Sequence, residues 1–439
     1  MFRFSFFKAT LATEPQQVPS FYWILSHGFR WYSSATLGLF IHWGISSVGG
    51  QCDLSWGMKY RADGAIESSV KQHGIYAAQT PMSPTKYWSQ AEEFLCKDYD
   101  PHKWVSAAKE AGFEYAAITT KHHDGFCLWP SAFGDFNTSN FLNGRDLLGE
   151  FVQACRDVGL KIGFYFSPPD FYFWRKHMNF GCDNKATRDM YFQPYDLPER
   201  TPEELEAYRV YTNGQVHELI TRYGTIDILW FDGRMPPGSM TVDDIRAIQP
   251  GILINPRGYG YGDFDTPECK FPEERMTPGW WEYCHVFSDG AWGYMEHEAY
   301  KPIGWFLDEY SKARAWDGKF LPNVGPDANG RLPEAYYARM RQLKEWMAHS
   351  SEAVIDTTGG QWPEFSDVPV THRDGKTYAL MSGIHGSDTV SVSGFKEAPK
   401  SVKLLRTGEP VAHHFVLGKA VFTIPVDSRT QRTDVIVIE

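Results

Sequence analysis

The sequence predicts a (β/α)8-like barrel followed by a small carboxyl-terminal antiparallel β-sandwich, and three observations carry that expectation. Between residue 101 and about residue 355, short apolar runs alternate with helical patterns, which implies parallel strands joined by right-handed crossovers. The runs number close to eight, at 37–44, 115–120, 161–166, 225–231, 252–255, 280–283, 320–324 and 353–355. Past residue 357 the short strand-like stretches follow one another without helical patterns between them, as a sandwich requires. The expected division is therefore a barrel with an amino-terminal lead-in over 1–356 and a sandwich over 357–439. A doubly wound open sheet is the alternative, because it needs the same alternation.

Taken in order, the first run reads LGLFIHWG and ends in His42 and Trp43. An irregular segment then leads to Asp100 and Pro101, a plausible N-cap and first helical residue, with Gly112 closing the helix. Further helical patterns cover 145–158, closed by Gly159, then 202–223, 242–248, 302–315 and 333–347. The run at 226–231 is rich in Ile, Leu and Phe, is bounded by Gly224 and Gly233, and reads as a buried strand with Asp232 at its end. Sandwich strands are expected at 377–381, 389–392, 402–405 and 434–438.

Composition narrows the function classes. With 43 basic against 54 acidic residues the chain carries a formal charge of −11, which argues against nucleic acid or an anionic membrane surface as partner. The seven cysteines are scattered with no C-x-x-C pair, so neither a disulfide framework nor a thiolate zinc site is expected, and a reducing, cytoplasmic setting is slightly favoured. The apolar start, Met1 to Phe7, is broken by Lys8 and is short for a signal peptide or a membrane span. Sixteen tryptophans fill the core for the most part, although aromatic faces also stack on the C–H faces of sugars.

In a barrel, side chains at the carboxyl ends of the strands share one pocket. Pooling those ends collects His42, His122, His123, Asp124, Tyr165, Trp230, Asp232 and Arg257, a polar and aromatic set suited to a sugar. A carboxylate ending a buried strand is costly to desolvate, so Asp232 is expected to be used, as a nucleophile. On an extended backbone His122 and His123 point to opposite faces, which favours one pocket histidine and one structural histidine, hydrogen bonding to hydroxyls rather than to a metal. No phosphate loop, dinucleotide fingerprint, nucleophile elbow or H-E-x-x-H helix is present, and no cofactor is expected. Glycoside hydrolysis needs a second carboxyl group, and Glu268 in DFDTPE and Glu282 in WWEY both qualify.

The runs GLFIHWG (38–44), TTKHHDGFCLW (119–129), RDLLGEF (145–151), GLKIGFYFSP (159–168), IDILWFDG (226–233), NPRG (255–258), DFDTPE (263–268), WGY (292–294) and NVGPDANG (323–330) resemble glycoside hydrolase family 29, the α-L-fucosidases. The resemblance covers about 37–357. It implies a retaining exo-glycosidase acting on fucosylated glycans, with the nucleophile at Asp232, the acid/base at Glu268 and Glu282 as runner-up. Sugar contacts would fall on His42, Trp56, His122, His123, Tyr165, Trp230 and Arg257. Ser55 stands where many members carry a glutamate before the tryptophan, and the segment 49–84 and Pro322 also depart from the family pattern. A related sugar such as L-galactose, or a non-catalytic carbohydrate-binding role, stays open at this point.

Overall fold

The computed structural model describes residues 29–59, 82–174, 200–276, 279–383 and 385–439. The amino-terminal run 1–8, Cys182 and most of the irregular 49–84 segment (60–81) lie outside them.

Eight parallel strands form the barrel: β1 Gly38–Ile41, β2 Tyr115–Lys121, β3 Lys161–Phe166, β4 Ile228–Phe231, β5 Leu253–Ile254, β6 Phe264–Asp265, β7 Trp280–Val286 and β8 Lys319–Val324. Their order is β5-β4-β3-β2-β1-β8-β7-β6, so the barrel is nearly closed, with the two shortest strands at its seam. Asp263 spans that seam. Its backbone N–H donates to Ile254 O (2.7 Å), and its carboxylate accepts from Ile254 N–H (2.8 Å) while paired to Arg246, so a side chain replaces a missing ladder.

Seven of the predicted runs fall on strands, and the eighth does not. Residues 351–353 form a 3-10 turn, and the missing strand is β6, inside the DFDTPE run that the sequence presents as a loop. A two-residue strand paired only to β7 carries no periodicity to announce it.

A short helix, α1 (Arg30–Ser34), plugs the amino end of the barrel: Tyr32 packs on Tyr115 and Trp280, the first residues of β2 and β7. The crossover helices α2 (Pro101–Glu110), α3 (Leu147–Val158), α4 (Pro202–Arg222), α5 (Val242–Ile248), α6 (Ile303–Ala315) and α7 (Glu334–Ser350) follow the predicted patterns closely. Asp146 caps α3 through Gly149 N–H, Gly159 ends it at φ +72°, and Thr201 with Glu204 forms a capping box on α4. Asp100 makes no such cap and pairs with Lys103 instead (3.4 Å). Among the described residues no helix is long and apolar enough to cross a membrane.

Beyond the barrel, β13-β16-β11-β10-β9 and β12-β15-β14 form two antiparallel sheets, where β9 is Thr358–Gly359, β10 Val370–Arg373, β11 Lys376–Met381, β12 Thr389–Ser393, β13 Val402–Leu404, β14 His413–Val416, β15 Lys419–Thr423 and β16 Asp434–Ile438. Val370, Ala379, Val390, Phe422 and Ile436 are buried together as their core. The four predicted stretches are β11, β12, β13 and β16. The β14–β15 hairpin escaped because His413 and His414 are exposed and break the alternation. Its turn, Leu417-Gly418, takes positive φ at both residues, with leucine where asparagine or glycine would have signalled it.

Candidate active site

At the carboxyl ends of the barrel strands lies a cavity of ≈ 210 Å³. Its walls include His42, Trp56, His122, His123, Tyr165, Trp230, Asp232, Arg257 and Glu268, together with Phe40, Leu54, Pro169, Gly233, Cys284 and Trp292.

Asp232 is held in place by its backbone on both sides. Its N–H donates to Phe166 O on β3 (3.0 Å), and the side chain of the buried Asn255 takes both backbone groups of the preceding Phe231 (2.8 and 2.9 Å). Gly233 follows at φ +104°, and a Cβ there would stand 2.6 Å from Pro169, so only glycine lets the chain turn away this sharply. The carboxylate accepts from Tyr165 Oη (2.7 Å) and Arg257 Nη1 (3.2 Å), with His123 Nε2 3.5 Å away. Burial alone would raise its pKa, but His123, Arg257, the Tyr165 hydroxyl and His122 outweigh burial and hold Asp232 well below the usual carboxylate range.

Glu268 is fixed by the short pairing that the sequence hid. Cys284 N–H donates to Pro267 O (3.1 Å) and Cys269 N–H to Cys284 O (3.0 Å), which pins the residue between them beside β7. Arg257 Nη2 lies 2.7 Å from Glu268 Oε2, so one guanidinium bridges the two carboxylates. That guanidinium is itself held by Thr266 (Nε to Oγ1 3.0 Å, Nη2 to O 3.1 Å) and sits 4.5 Å from the Trp230 ring centre. Burial works against its charge, yet Glu268 and Asp232 push the Arg257 pKa above its ordinary value.

The rival carboxyl, Glu282, is elsewhere. It is fully buried in the barrel interior, accepts from Trp230 Nε1 (2.8 Å), Tyr115 Oη (2.7 Å) and Tyr32 Oη (3.3 Å), and does not line the cavity. Asp124 also leaves the predicted set. Its two oxygens are taken by Tyr87 Oη (2.8 Å) and Phe126 N–H (2.9 Å), and burial raises its pKa to about 6.

Both histidines of the KHHDG run face the cavity, against the expectation of opposite faces. β2 ends at Lys121 after a register shift between Thr119 and Lys121, so strand alternation no longer applies, and the two rings stand 4.3 Å apart. His122 Nδ1 meets Ser55 Oγ (3.0 Å) and His123 Nδ1 meets Ser167 Oγ (2.5 Å). Ser55, the departure from the family pattern, is thus turned onto His122 and fully buried. The pKa of His122 is lowered well below the ordinary value by burial and by the neighbouring His123 and His42.

The tautomer of His42 follows from its surroundings. Asn323 Nδ2 donates to Trp292 O (2.6 Å), which leaves Oδ1 facing His42 Nδ1 (2.6 Å) as acceptor. His42 therefore carries its proton on Nδ1 and offers Nε2 as an acceptor, and burial lowers its pKa to about 4, so it is neutral at pH 7. Atoms of His122, His123 and Asp232 also come within 4.8 Å of one another, a spacing that admits a cation, but Arg257 already balances the Asp232 charge there.

Sequence reasoning missed the apolar part of the wall. Phe40 and Leu54 each lie two residues before a predicted site residue, His42 and Trp56. For Phe40, strand alternation on β1 was signal enough, since it puts both residues on one face. Trp292 stood in the WGY run, and nothing in the sequence pointed to Cys284 or Pro169.

Two carboxylates joined through one arginine, at the open end of a parallel barrel and surrounded by histidines and aromatic rings, are the arrangement a glycoside hydrolase requires. The α-L-fucosidase family model matches residues 26–352, and the chain belongs to that family. An α-L-fucosidase of Branchiostoma floridae is 25% identical over 411 residues, 89% of this chain and 87% of that one. Among solved structures, α-L-fucosidase isoenzyme 1 from Paenibacillus thiaminolyticus is similar at 27% identity with a TM-score of 0.75, covering 94% of this chain and 98% of that one. A family 29 α-L-fucosidase from Bacteroides thetaiotaomicron, trapped as a covalent intermediate with 2-fluoro-fucosyl fluoride, shares the fold (23% identity, TM-score 0.72, 94% and 95% covered).

Proposed function

We propose that this chain is a retaining exo-α-L-fucosidase that removes terminal fucosyl residues from glycans, with Asp232 as nucleophile and Glu268 as acid/base. The observation that carries the reading is the Arg257 bridge, which sets the two carboxyl groups on one small cavity while each keeps some exposure to it (23% and 20%). Asp232 is ionised and attacks the anomeric carbon. Glu268 gives its proton to the glycosidic oxygen as the C–O bond breaks, which leaves a fucosyl ester on Asp232. Glu268, now a carboxylate, takes a proton from water as that water attacks the same carbon and frees Asp232, so two inversions give net retention.

The rest of the wall fits a 6-deoxy sugar. His42 Nε2 accepts a sugar hydroxyl proton, His122, His123 and Trp56 surround further hydroxyls, and Tyr165 orients Asp232. Phe40, Leu54 and Trp292 offer an apolar wall for the methyl group, and the cavity has room for one sugar ring, which suits exo cleavage. The test is proton NMR of an aryl α-L-fucoside digest. First-formed α-fucose is expected, whereas first-formed β-fucose, or no turnover, overturns the proposal.

A further inference from the structure

The buried Glu282 has no place in that chemistry, yet the barrel surrounds it with three hydrogen-bond donors. On β7 it lies two residues before the cavity-lining Cys284, so it faces the same interior one layer deeper. One oxygen takes the indole N–H of Trp230, and the other takes the phenols of Tyr115 and Tyr32, which closes the barrel floor. Beside it in register on β8, Lys319 points its ammonium at the Tyr32 ring, 4.2 Å from the ring centre. A full set of donors on a carboxylate this deep is costly to assemble and must hold something still.

What it holds is the indole. Trp230 can rotate only by giving up that bond, and its ring face is the surface on which Arg257 rests at 4.5 Å, with Tyr165 stacked alongside at 5.5 Å. Arg257 in turn bridges Asp232 and Glu268. We propose that Glu282 is a positioning residue for the reacting pair, acting through the Trp230 indole on the guanidinium that joins both carboxylates. This rests on the assignment of Asp232 and Glu268 above. Glu282 touches no substrate, so its loss should lower kcat more than it changes KM, because the carboxylates drift from their reactive spacing while the contacts from His42, His122, His123 and Trp56 to the sugar remain.

The test is a set of full-length variants assayed on aryl α-L-fucosides, with rates expressed per active site titrated by a covalent 2-fluoro-fucosyl inhibitor. Glu282→Met is expected to lower kcat about 10–100-fold with less than about a 3-fold change in KM. Glu282→Gln, which still offers an oxygen to the indole, should regain most of that loss. Adding Glu282→Met to Trp230→Phe should lower kcat no further than Trp230→Phe alone. If Glu282→Met does not fold, Glu282→Asp gives the same reading, because it keeps a carboxyl group for the phenols but withdraws the acceptor from the indole by one methylene.

An unchanged kcat per site, or an additive double variant, overturns the proposal. Absence of fucosidase turnover in the unmodified protein would instead sink the proposed function, before any Glu282 variant is compared.

Discussion

Two cation–carboxylate clusters stand at the carboxyl end of the barrel, and they differ in what is left over once the charges have met. Lys121 and Asp170 pair at 2.9 Å with both side chains at 0% exposure. Lys121 also donates to Gln215 Oε1 (2.9 Å), and Asp170 also accepts from Tyr211 Oη (2.7 Å) and Phe173 N–H (2.8 Å), so this cluster is dry and saturated. Arg257 pairs with Glu268 at 2.7 Å and with Asp232 at 3.2 Å, but each of the three keeps 20–23% of its side chain open to the cavity. The first arrangement can only hold shape, tying the loop after β3 to the end of β2. The second has somewhere for a substrate atom to arrive.

The sharpest way to break this comparison is to remove one carboxylate from the open cluster. Asp232→Ala should cut kcat on an aryl α-L-fucoside by at least about 10⁴-fold with little change in urea midpoint, because Arg257 still has Glu268. External azide should restore turnover in this variant and not in the unmodified protein, and retention of near-normal activity would remove Asp232 from the chemistry. Next in size is Glu268→Gly, expected to lose about 10²–10⁴-fold on substrates with poor leaving groups and far less on activated ones. Equal losses on both would mean that another group donates the proton.

The open cluster was only partly legible in the sequence, for reasons that lie in the strands. Asp232 was visible because it is the one charge at the end of an apolar run closed by glycine, and the structure puts it at the end of β4. Glu268 gave no such signal. Its position depends on a two-residue strand and on backbone bonds to Cys284, contacts that exist only once β7 lies alongside. Glu282 looked equally eligible because a lone sequence does not say which face of β7 meets the barrel interior. The outer core takes Trp281 and Tyr283, which leaves Trp280, Glu282 and Cys284 inside. At His122 and His123 strand alternation, applied past the strand's end, suggested one pocket and one structural histidine, whereas the family resemblance placed both in the pocket that they line. Most barrel elements, by contrast, follow from apolar runs and helix signals that local chemistry suffices to write.

The closed cluster should answer in stability rather than rate. Lys121→Met leaves the Asp170 carboxylate buried without its cation, which should cost about 3–5 kcal/mol in urea unfolding. A loss below about 1 kcal/mol would mean that this pair is no more structural than the open one.

The smallest expected effect sharpens the comparison by asking whether the cavity wall is as dry as the closed cluster at one point. His42 is 4% exposed, and its pKa in the folded state is lowered to about 4 from 6.5. As pH falls below 6.5 the unfolded chain takes up this proton and the folded chain does not, so stability present above pH 6.5 is progressively lost on the way down to pH 4. The one group accounts for about 3 kcal/mol over that window. Other histidines titrate as well, so the measurement is a difference: the stability gap between the unmodified protein and His42→Gln, taken from urea unfolding at pH 7.5 and at pH 4.5. The gap should shrink by about 2–3 kcal/mol at the lower pH, since glutamine does not titrate and its amide N–H can still reach Asn323 Oδ1. A gap that is the same at both pH values would mean that His42 takes up its proton in the folded protein as readily as in the unfolded chain. Nε2 would then turn from acceptor to donor as pH falls through 6.5, and the acceptor assigned to the sugar hydroxyl at that corner of the cavity would be lost below it.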